Sequence, residues 1–563
     1  MAVTREQLAQ VQVLARQLEN QRSKYEPDWQ DITKYVLGQT SGWGRATDPA
    51  DMQPQGTRDR FDSTAVRATE TFASGLQGYA YGPSVDWLGL SKEGATPDDD
   101  ADEQETRYLQ WVARLVTRRL AKSNFYDEAL GFTKIGVNFG TAVMTFDWDE
   151  ARQLPVYHTV HPVECLGMED AYGQVDTLVT DLWLNKSDAI RLFGEDRVPD
   201  VIRSTPDYAR NYLFHHLRCP RGKLDLSVDG RGAYVHVVYF DDYQTVCREW
   251  ESDRPDFAVW RYDRRTRRSF WGEGAPGQTE LSDIRMLNQI YKSSLELAQL
   301  QGAPPIVGSK GLRPNFRPHG YIGLEPNQSL SMLQVTGNLQ WVEQTKIELQ
   351  QAINEAYYVN FFLALSQSIS RNKTATEVQG LQEEQSRIMS AFLARLQHEF
   401  FEPIVDNLFE ELSAHGMLSD PEHPIPDGLK GADLHVDYVS PLSRIQKSAM
   451  VLTPTRQLIA DAIQMAQVDP TVLDSVDIDA YLRAEAEVSN ADRTCLRGKE
   501  QVEAIRQARA KAQQDQAMLQ EALARQDMAN RQYQAMSKAP EQGSPVAGMM
   551  GGTGNGIAGQ GQA

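Results

Sequence analysis

Residues 374–403 read TATEVQGLQEEQSRIMSAFLARLQHEFFEP, and this run decides the class of fold. Thr374-Ala-Thr-Glu377 has the form of a capping box, where a hydroxyl and an acidic side chain three residues on satisfy backbone donors at a helix start. Val378, Leu381, Ile388, Phe392, Leu396 and Phe400 then recur at helical spacing. The helix so predicted has ~28 residues and spans ~42 Å at 1.5 Å per residue. Pro403 should kink it, with a continuation to Leu412. Such a length suits a strut in a large assembly better than a helix inside a small core.

Toward the C-terminus, residues 434–439 alternate like a strand and helical spacing resumes from Leu442. Residues 499–537, rich in Ala, Gln and Arg, predict one more helix. The chain from Pro540 carries eight glycines and no period, which predicts disorder. Toward the N-terminus, a helix over 337–365 should place Val342, Leu349, Ile353, Tyr357 and Phe361 on one side. Another over 279–302 should bury Leu281, Ile284, Leu287, Tyr291 and Leu295. Between them, 302–335 is a loop carrying Pro304, Pro305, Pro314 and Pro318.

Residues 136–270 read differently. The runs 141–146, 177–180 and 234–240 are β-branched and aromatic and bounded by turn residues, with one helix at 185–193. Helices are predicted at 4–36, opened by the capping box Thr4-Arg-Glu-Gln7, at 63–78 and at 107–132. Loops are predicted at 38–60 and 91–105. The fold class is therefore α+β and predominantly helical.

At 563 residues the chain exceeds one compact core, and 41% hydrophobic with 24% charged residues fits a globular protein. No apolar run is long enough to span a bilayer, and MAVTREQLAQ at the start lacks a signal peptide's apolar stretch, so a cytoplasmic product is expected. The net charge of -20 opposes wrapping of DNA, yet leaves room for a duplex that passes by. Cys165, Cys219, Cys247 and Cys495 lack C-x-x-C spacing and read as reduced, isolated thiols.

The motifs of catalysis are missing. No P-loop is present, so ATP-driven work would belong to a partner. Gly272-Glu-Gly274-Ala-Pro-Gly277 has the letters of a dinucleotide loop, but Pro276 removes a backbone donor that phosphate cradling needs. His215-His216 point to different sides of a helix or strand, so a shared metal is not expected. The acidic run at 91–105 lacks a calcium-loop pattern. No enzyme activity, cofactor or metal is expected.

Several stretches resemble the portal, or head-to-tail connecting, family of short-tailed, podovirus-type phages. They are 372–378 leading into 395–404, 436–442 with Gln446-Lys447, Asp469-Pro470 with Val476-Asp477, and 505–509. In the N-terminal half, 139–144, 169–176 and 283–288 join them. The resemblance departs at 271–276, where Glu273 stands in place of an expected basic residue.

The resemblance implies a dodecameric ring, a homo-oligomer at one capsid vertex of the virion, assembled in the host cytoplasm. Double-stranded DNA would pass through it during packaging and ejection. The implied partners are the large terminase subunit, tail adaptor proteins, major capsid and scaffolding proteins and internal core proteins, with no membrane. It implies a wing (1–277 and 375–440), stem helices (278–302 and 337–365), a clip (303–336), a tunnel loop (366–374) and a crown (441–539). The tunnel loop offers Arg371, Asn372 and Lys373 to passing phosphates. The clip offers Lys310, Arg313 and Arg317 against Glu325 alone, to DNA or an acidic partner. The alternative reading is a helical scaffold or adaptor protein of the virion without DNA contact.

Overall fold

The computed structural model describes residues 3–37, 60–92, 103–240, 245–264, 269–276, 280–309, 324–332, 339–368, 392–420, 423–430, 434–440, 453–467, 470–482 and 499–537. It divides into two compact units, Met1–Leu458 and Ile459–Ala563.

Helix α1 (Arg5–Arg22) begins as its sequence requires: Thr4 Oγ1 accepts from Gln7 N at 3.3 Å and Gln7 Oε1 accepts from Thr4 N at 2.9 Å. The helix predicted over 4–36 is broken, however. The chain turns at residues 23–25 and restarts as α2 (Glu26–Ile32), with Pro27 in its first turn, where a missing N–H costs nothing. A π turn, Thr33–Leu37, ends it. Next come α3 (Thr64–Leu76), a second π turn (Gln77–Tyr81) and β1 (Leu88–Lys92). Ser91 therefore lies in a strand, and Glu103 and Glu105, also read as loop, lie in α4 (Glu103–Lys122). The helix predicted over 107–132 divides too, because α5 (Phe125–Phe139) starts anew after Asn124. The Asn124 amide pairs both ways with the Tyr157 backbone, at 2.7 and 2.9 Å, and draws the chain out of the helical path.

Strands dominate from Thr141, five residues later than the spacing suggests. They are β2 (Thr141–Asp149), β3 (Leu154–Val160), β4 (Cys165–Glu169) and β5 (Val175–Asn185), then α6 (Lys186–Phe193) and α7 (Asp200–Arg203), then β6 (Asn211–Pro220), β7 (Tyr234–Phe240), β8 (Thr245–Ser252) and β9 (Phe257–Arg261). They form a three-stranded sheet, β3-β2-β9, and a five-stranded sheet, β4-β5-β6-β7-β8, antiparallel throughout. One face of the larger sheet, with Leu166, Val179, Leu217 and Val237, takes the α1 stripe Leu8, Val11, Ala15 and Leu18. Its other face packs Phe214, Val238 and Phe240 against Ala189, Phe193 and Ile202 of α6 and α7.

The main core lies between α3, α5 and the smaller sheet, and it admits the later helices. These are α8 (Glu280–Gly302), α9 (Leu339–Ala356), α10 (Val359–Ser368), a third π turn (Gln397–Phe401) and α11 (Glu402–Ala414). An antiparallel ribbon, β10 (Ile306–Gly308) with β11 (Leu330–Met332), stands where only loop was predicted. β12 (Leu434–Tyr438) is a strand as expected and pairs antiparallel with β1. The helix at 337–365 is also two: Tyr358 takes a left-handed φ of 52°, which ends α9 and turns the chain into α10. The division between the units falls inside α12 (Thr453–Ala466), and the second unit carries α13 (Lys499–Ser537), as predicted.

The glycine run at 272–274 has a structural reason. A Cβ on Gly272 would lie 2.4 Å from Gly140 O, and one on Gly274 would lie 2.4 Å from Asn138 O. The backbone lies flat on the end of α5, with Ala275 N donating to Val137 O at 2.6 Å and Gly272 N to Thr141 Oγ1 at 2.7 Å. Gly272→Val is therefore expected to cost ~3 kcal/mol or to prevent soluble expression, since backbone atoms cannot yield. Gly131→Ala, in α5 with open space around its Cβ, should instead leave stability unchanged or raise it by up to ~1 kcal/mol. Urea denaturation of the two variants checks the contrast.

Candidate channel strut and buried polar cluster

The antiparallel pair α8 and α9 rises from the core. Its base is fixed by Leu281, Ile284 and Leu287 on α8 and by Leu349 and Ile353 on α9, all buried. Tyr357 completes the root: its hydroxyl donates to Asn138 Oδ1 at 2.6 Å, and Thr69 Oγ1 reaches the same oxygen at 3.3 Å. Arg285 on the outer side meets Asp31 at 2.7 Å and Asp28 at 3.2 Å, tying α8 to α2. Farther out, Gln350 donates to the Tyr291 hydroxyl at 3.0 Å and the Lys346 ammonium lies 4.4 Å from the Tyr291 ring centre.

Beyond Tyr291 the pair leaves the core. Leu295, expected on the buried face, is exposed, because among the described residues no sheet or helix covers it. Leu300 on α8, Trp341 and Ile347 on α9, and Ile306, Val307 and Met332 on the ribbon are exposed as well, Trp341 at 64%. Exposed apolar groups clustered on one projecting element mark a surface for association.

Arg371, Asn372 and Lys373 lie outside the described residues, as do Lys310, Arg313 and Arg317. Helix α10 does extend through Ser368, into the range 366–374 read as loop. Its Phe362 packs edge-on to Phe72 at 5.7 Å and fills the space over Gly75.

Cys165, Cys219 and Cys247 are free and buried. Burial pushes the thiols of Cys219 and Cys247 up to about 12, so neither is a thiolate at neutral pH. Cys495 lies outside the described residues. Among the described residues no helix is long and apolar enough to cross a membrane.

His215 and His216 do face opposite sides of β6, as their adjacency required. His215 Nδ1 meets Asp181 at 2.9 Å. His216, however, meets His236 on β7, a pairing invisible in the sequence because it depends on strand register. Arg218 lies directly opposite His236, which places His216 diagonal to it on the same face. His216 Nε2 is 3.3 Å from His236 Nδ1, and Asp256, from the turn before β9, brings Oδ2 to 3.8 Å of that same Nδ1. Burial, with Arg218 nearby, holds His216 well below the usual imidazole range. Burial likewise pushes His236 down to about 4 although Asp256 opposes the shift. Both rings are neutral at pH 7 and keep a lone pair each.

Two portal-named proteins are similar to this chain along most of its length. The portal protein of Salmonella phage epsilon15 is 26% identical over 529 residues, covering 89% of this chain and 91% of the relative. The probable portal protein of Bordetella phage BPP-1 is 25% identical over 522 residues, covering 88% and 90%. The family model of the bacteriophage head to tail connecting protein matches residues 8–496. From the first helix of the five-stranded sheet's cover to the second unit, the chain belongs to the bacteriophage head-to-tail connecting protein family.

Proposed function

We propose that this chain is the repeating subunit of a portal ring at one capsid vertex, through which phage DNA is packaged and ejected. The observation that carries the reading is the family match along nearly the whole chain. The virion is its place, and its work is structural. With no P-loop in the sequence, the packaging ATPase is a separate partner, the large terminase subunit. Tail adaptors, major capsid and scaffolding proteins and internal core proteins are the other partners of this reading.

The exposed apolar residues of α8, α9 and the ribbon support ring closure. A ring of identical subunits needs a heterologous contact, one surface of a subunit against a different surface of the next. On this reading α8 and α9 are the stem, the ribbon and the residues around it are the clip, and residues 1–277 with 375–440 are the wing. Arg371, Asn372 and Lys373 are the channel contacts, and twelve subunits close the ring.

Negative-stain images of the purified protein are expected to show rings in axial view. Leu295→Glu with Trp341→Glu is expected to reduce the ring fraction at least ~10-fold, since each charge must be desolvated in the contact, while helical content is unchanged. Rings that persist in this variant would move the interface off the stem. Arg371→Ala with Lys373→Ala should leave rings intact and lower DNA retention; unchanged retention would favour a scaffold or adaptor that does not touch DNA.

A further inference from the structure

We propose that His216 Nε2, His236 Nδ1 and Asp256 Oδ2 are the protein ligands of a zinc-class divalent cation that joins the two sheets of the first unit. One donor atom from each of the three residues lies within 4.8 Å of the others. Donor atoms around a tetrahedral zinc, with bonds of 2.0–2.1 Å, stand ~3.3–3.4 Å apart. The two imidazole nitrogens are already 3.3 Å apart, and the carboxylate must close from 3.8 Å of His236 Nδ1 and from within 4.8 Å of His216. Asp256 sits in a turn and its side chain is 24% exposed, so that small movement is open to it.

The tautomer of His236 follows from its neighbours. Ser252 Oγ is 2.6 Å from Arg254 O, and a carbonyl only accepts, so the serine proton points there. Ser252 Oγ, 2.8 Å from His236 Nε2, must then accept from that nitrogen. Nδ1 is left with its lone pair, aimed at His216 and Asp256. A ring N–H held by an outer oxygen, with the other nitrogen bare, is how metal-bound histidines are oriented.

The surroundings fix the other groups. Trp250 stacks on His236 at 4.8 Å and 12° and touches His216 at 4.8 Å. Arg218 Nε lies 2.7 Å from Asp256 Oδ1, off the line of a hydrogen bond, and its other arm donates to Thr180 Oγ1 at 2.8 Å. The guanidinium thus holds the far oxygen and leaves Oδ2 toward the histidines. Arg218, and Arg248 above Trp250, add positive charge that weakens any divalent ion. Two imidazoles and one carboxylate still select zinc-like ions over magnesium or calcium, which prefer oxygen ligands. The ion would tie β6 and β7 to the turn that leads from β8 into β9, and so the five-stranded sheet to the three-stranded one.

The full-length protein, stripped with EDTA, is loaded with zinc and freed of excess by gel filtration, and zinc is counted per chain. About one zinc per chain is expected for the parent, and much less for Asp256→Asn and for His236→Gln. Equal zinc in the parent and in Asp256→Asn would overturn the site and leave a metal-free hydrogen-bond network. Because His236 is buried and its substitution risks misfolding, the near-isosteric Asp256→Asn serves as the folded comparison, checked by circular dichroism in EDTA. Cobalt(II) loading gives an independent readout: a spectrum of nitrogen and oxygen ligands is expected. A thiolate-to-cobalt band, from any cysteine, would place the metal elsewhere and refute the assignment.

Discussion

Replacing Arg261 with methionine is expected to lower the unfolding free energy by roughly 3–5 kcal/mol, because it takes a buried counter-charge away from two buried carboxylates. Arg261 ends β9 and is almost wholly buried. Its guanidinium pairs with Glu169, at the end of β4, and with Glu399, in the third π turn; its backbone N–H also donates to Glu399 Oε2 at 2.9 Å. Glu169 is held from the other side by Arg264 at 2.9 Å, and both arginines donate to Gly173 O at 3.2 Å. One side chain therefore fastens the five-stranded sheet, the smaller sheet and the late helix together. A fall in the urea midpoint with an unchanged slope is the expected result. Adding Glu399→Gln should recover part of the loss, since a neutral amide needs no counter-charge. A single variant within 1 kcal/mol of the parent would refute this account of the pair.

Phe400→Ala should cost a similar ~3–5 kcal/mol, by loss of transfer energy and by the cavity left behind. Phe400 is fully buried, stacked on Phe132 with ring centres 4.0 Å apart and planes at 16°, and facing Phe125 at 6.1 Å. Phe400→Leu refills much of the volume and should cost under ~1.5 kcal/mol. Thermal and urea unfolding of the pair would distinguish packing from a mere need for bulk. Equal losses in the two variants would point to the aromatic stack itself.

The position of Phe400 shows how far the sequence can be read. Phe392, Leu396, Phe400, Ile404, Leu408 and Leu412 recur at strict spacing of four, and all are buried. Four residues of an α-helix turn through about 400°, so such a row drifts by about 40° at each step. The sequence shows the row, and it reads as one helix from Thr374 kinked at Pro403; its stretch 374–391 lies outside the described residues. The structure absorbs part of the drift in the wider turn Gln397–Phe401, which also lets Phe401 turn inward beside Tyr81 and Trp87. Pro403 then sits harmlessly in the first turn of α11.

Local chemistry in the sequence by itself determined where most elements lie. The Thr4 cap, the α1 stripe, the strand at 234–240, the helix ending at Phe193 and the 39-residue α13 all depend on groups within a few positions of one another. The family resemblance was also legible there, spread over both halves of the chain. Only the tertiary structure decided the breaks at Asn124 and Tyr358, since each is fixed by a partner far along the chain: the Tyr157 backbone for one, Asn138 beneath the neighbouring Tyr357 for the other. The same is true of Leu295, whose exposure depends on how far the core extends beneath α8. It is truest of His216, His236 and Asp256, which antiparallel register and one turn bring together from positions up to 40 residues apart. Helix and strand periods are local, whereas burial, register and side-chain partnership depend on contacts that close only when the whole chain folds.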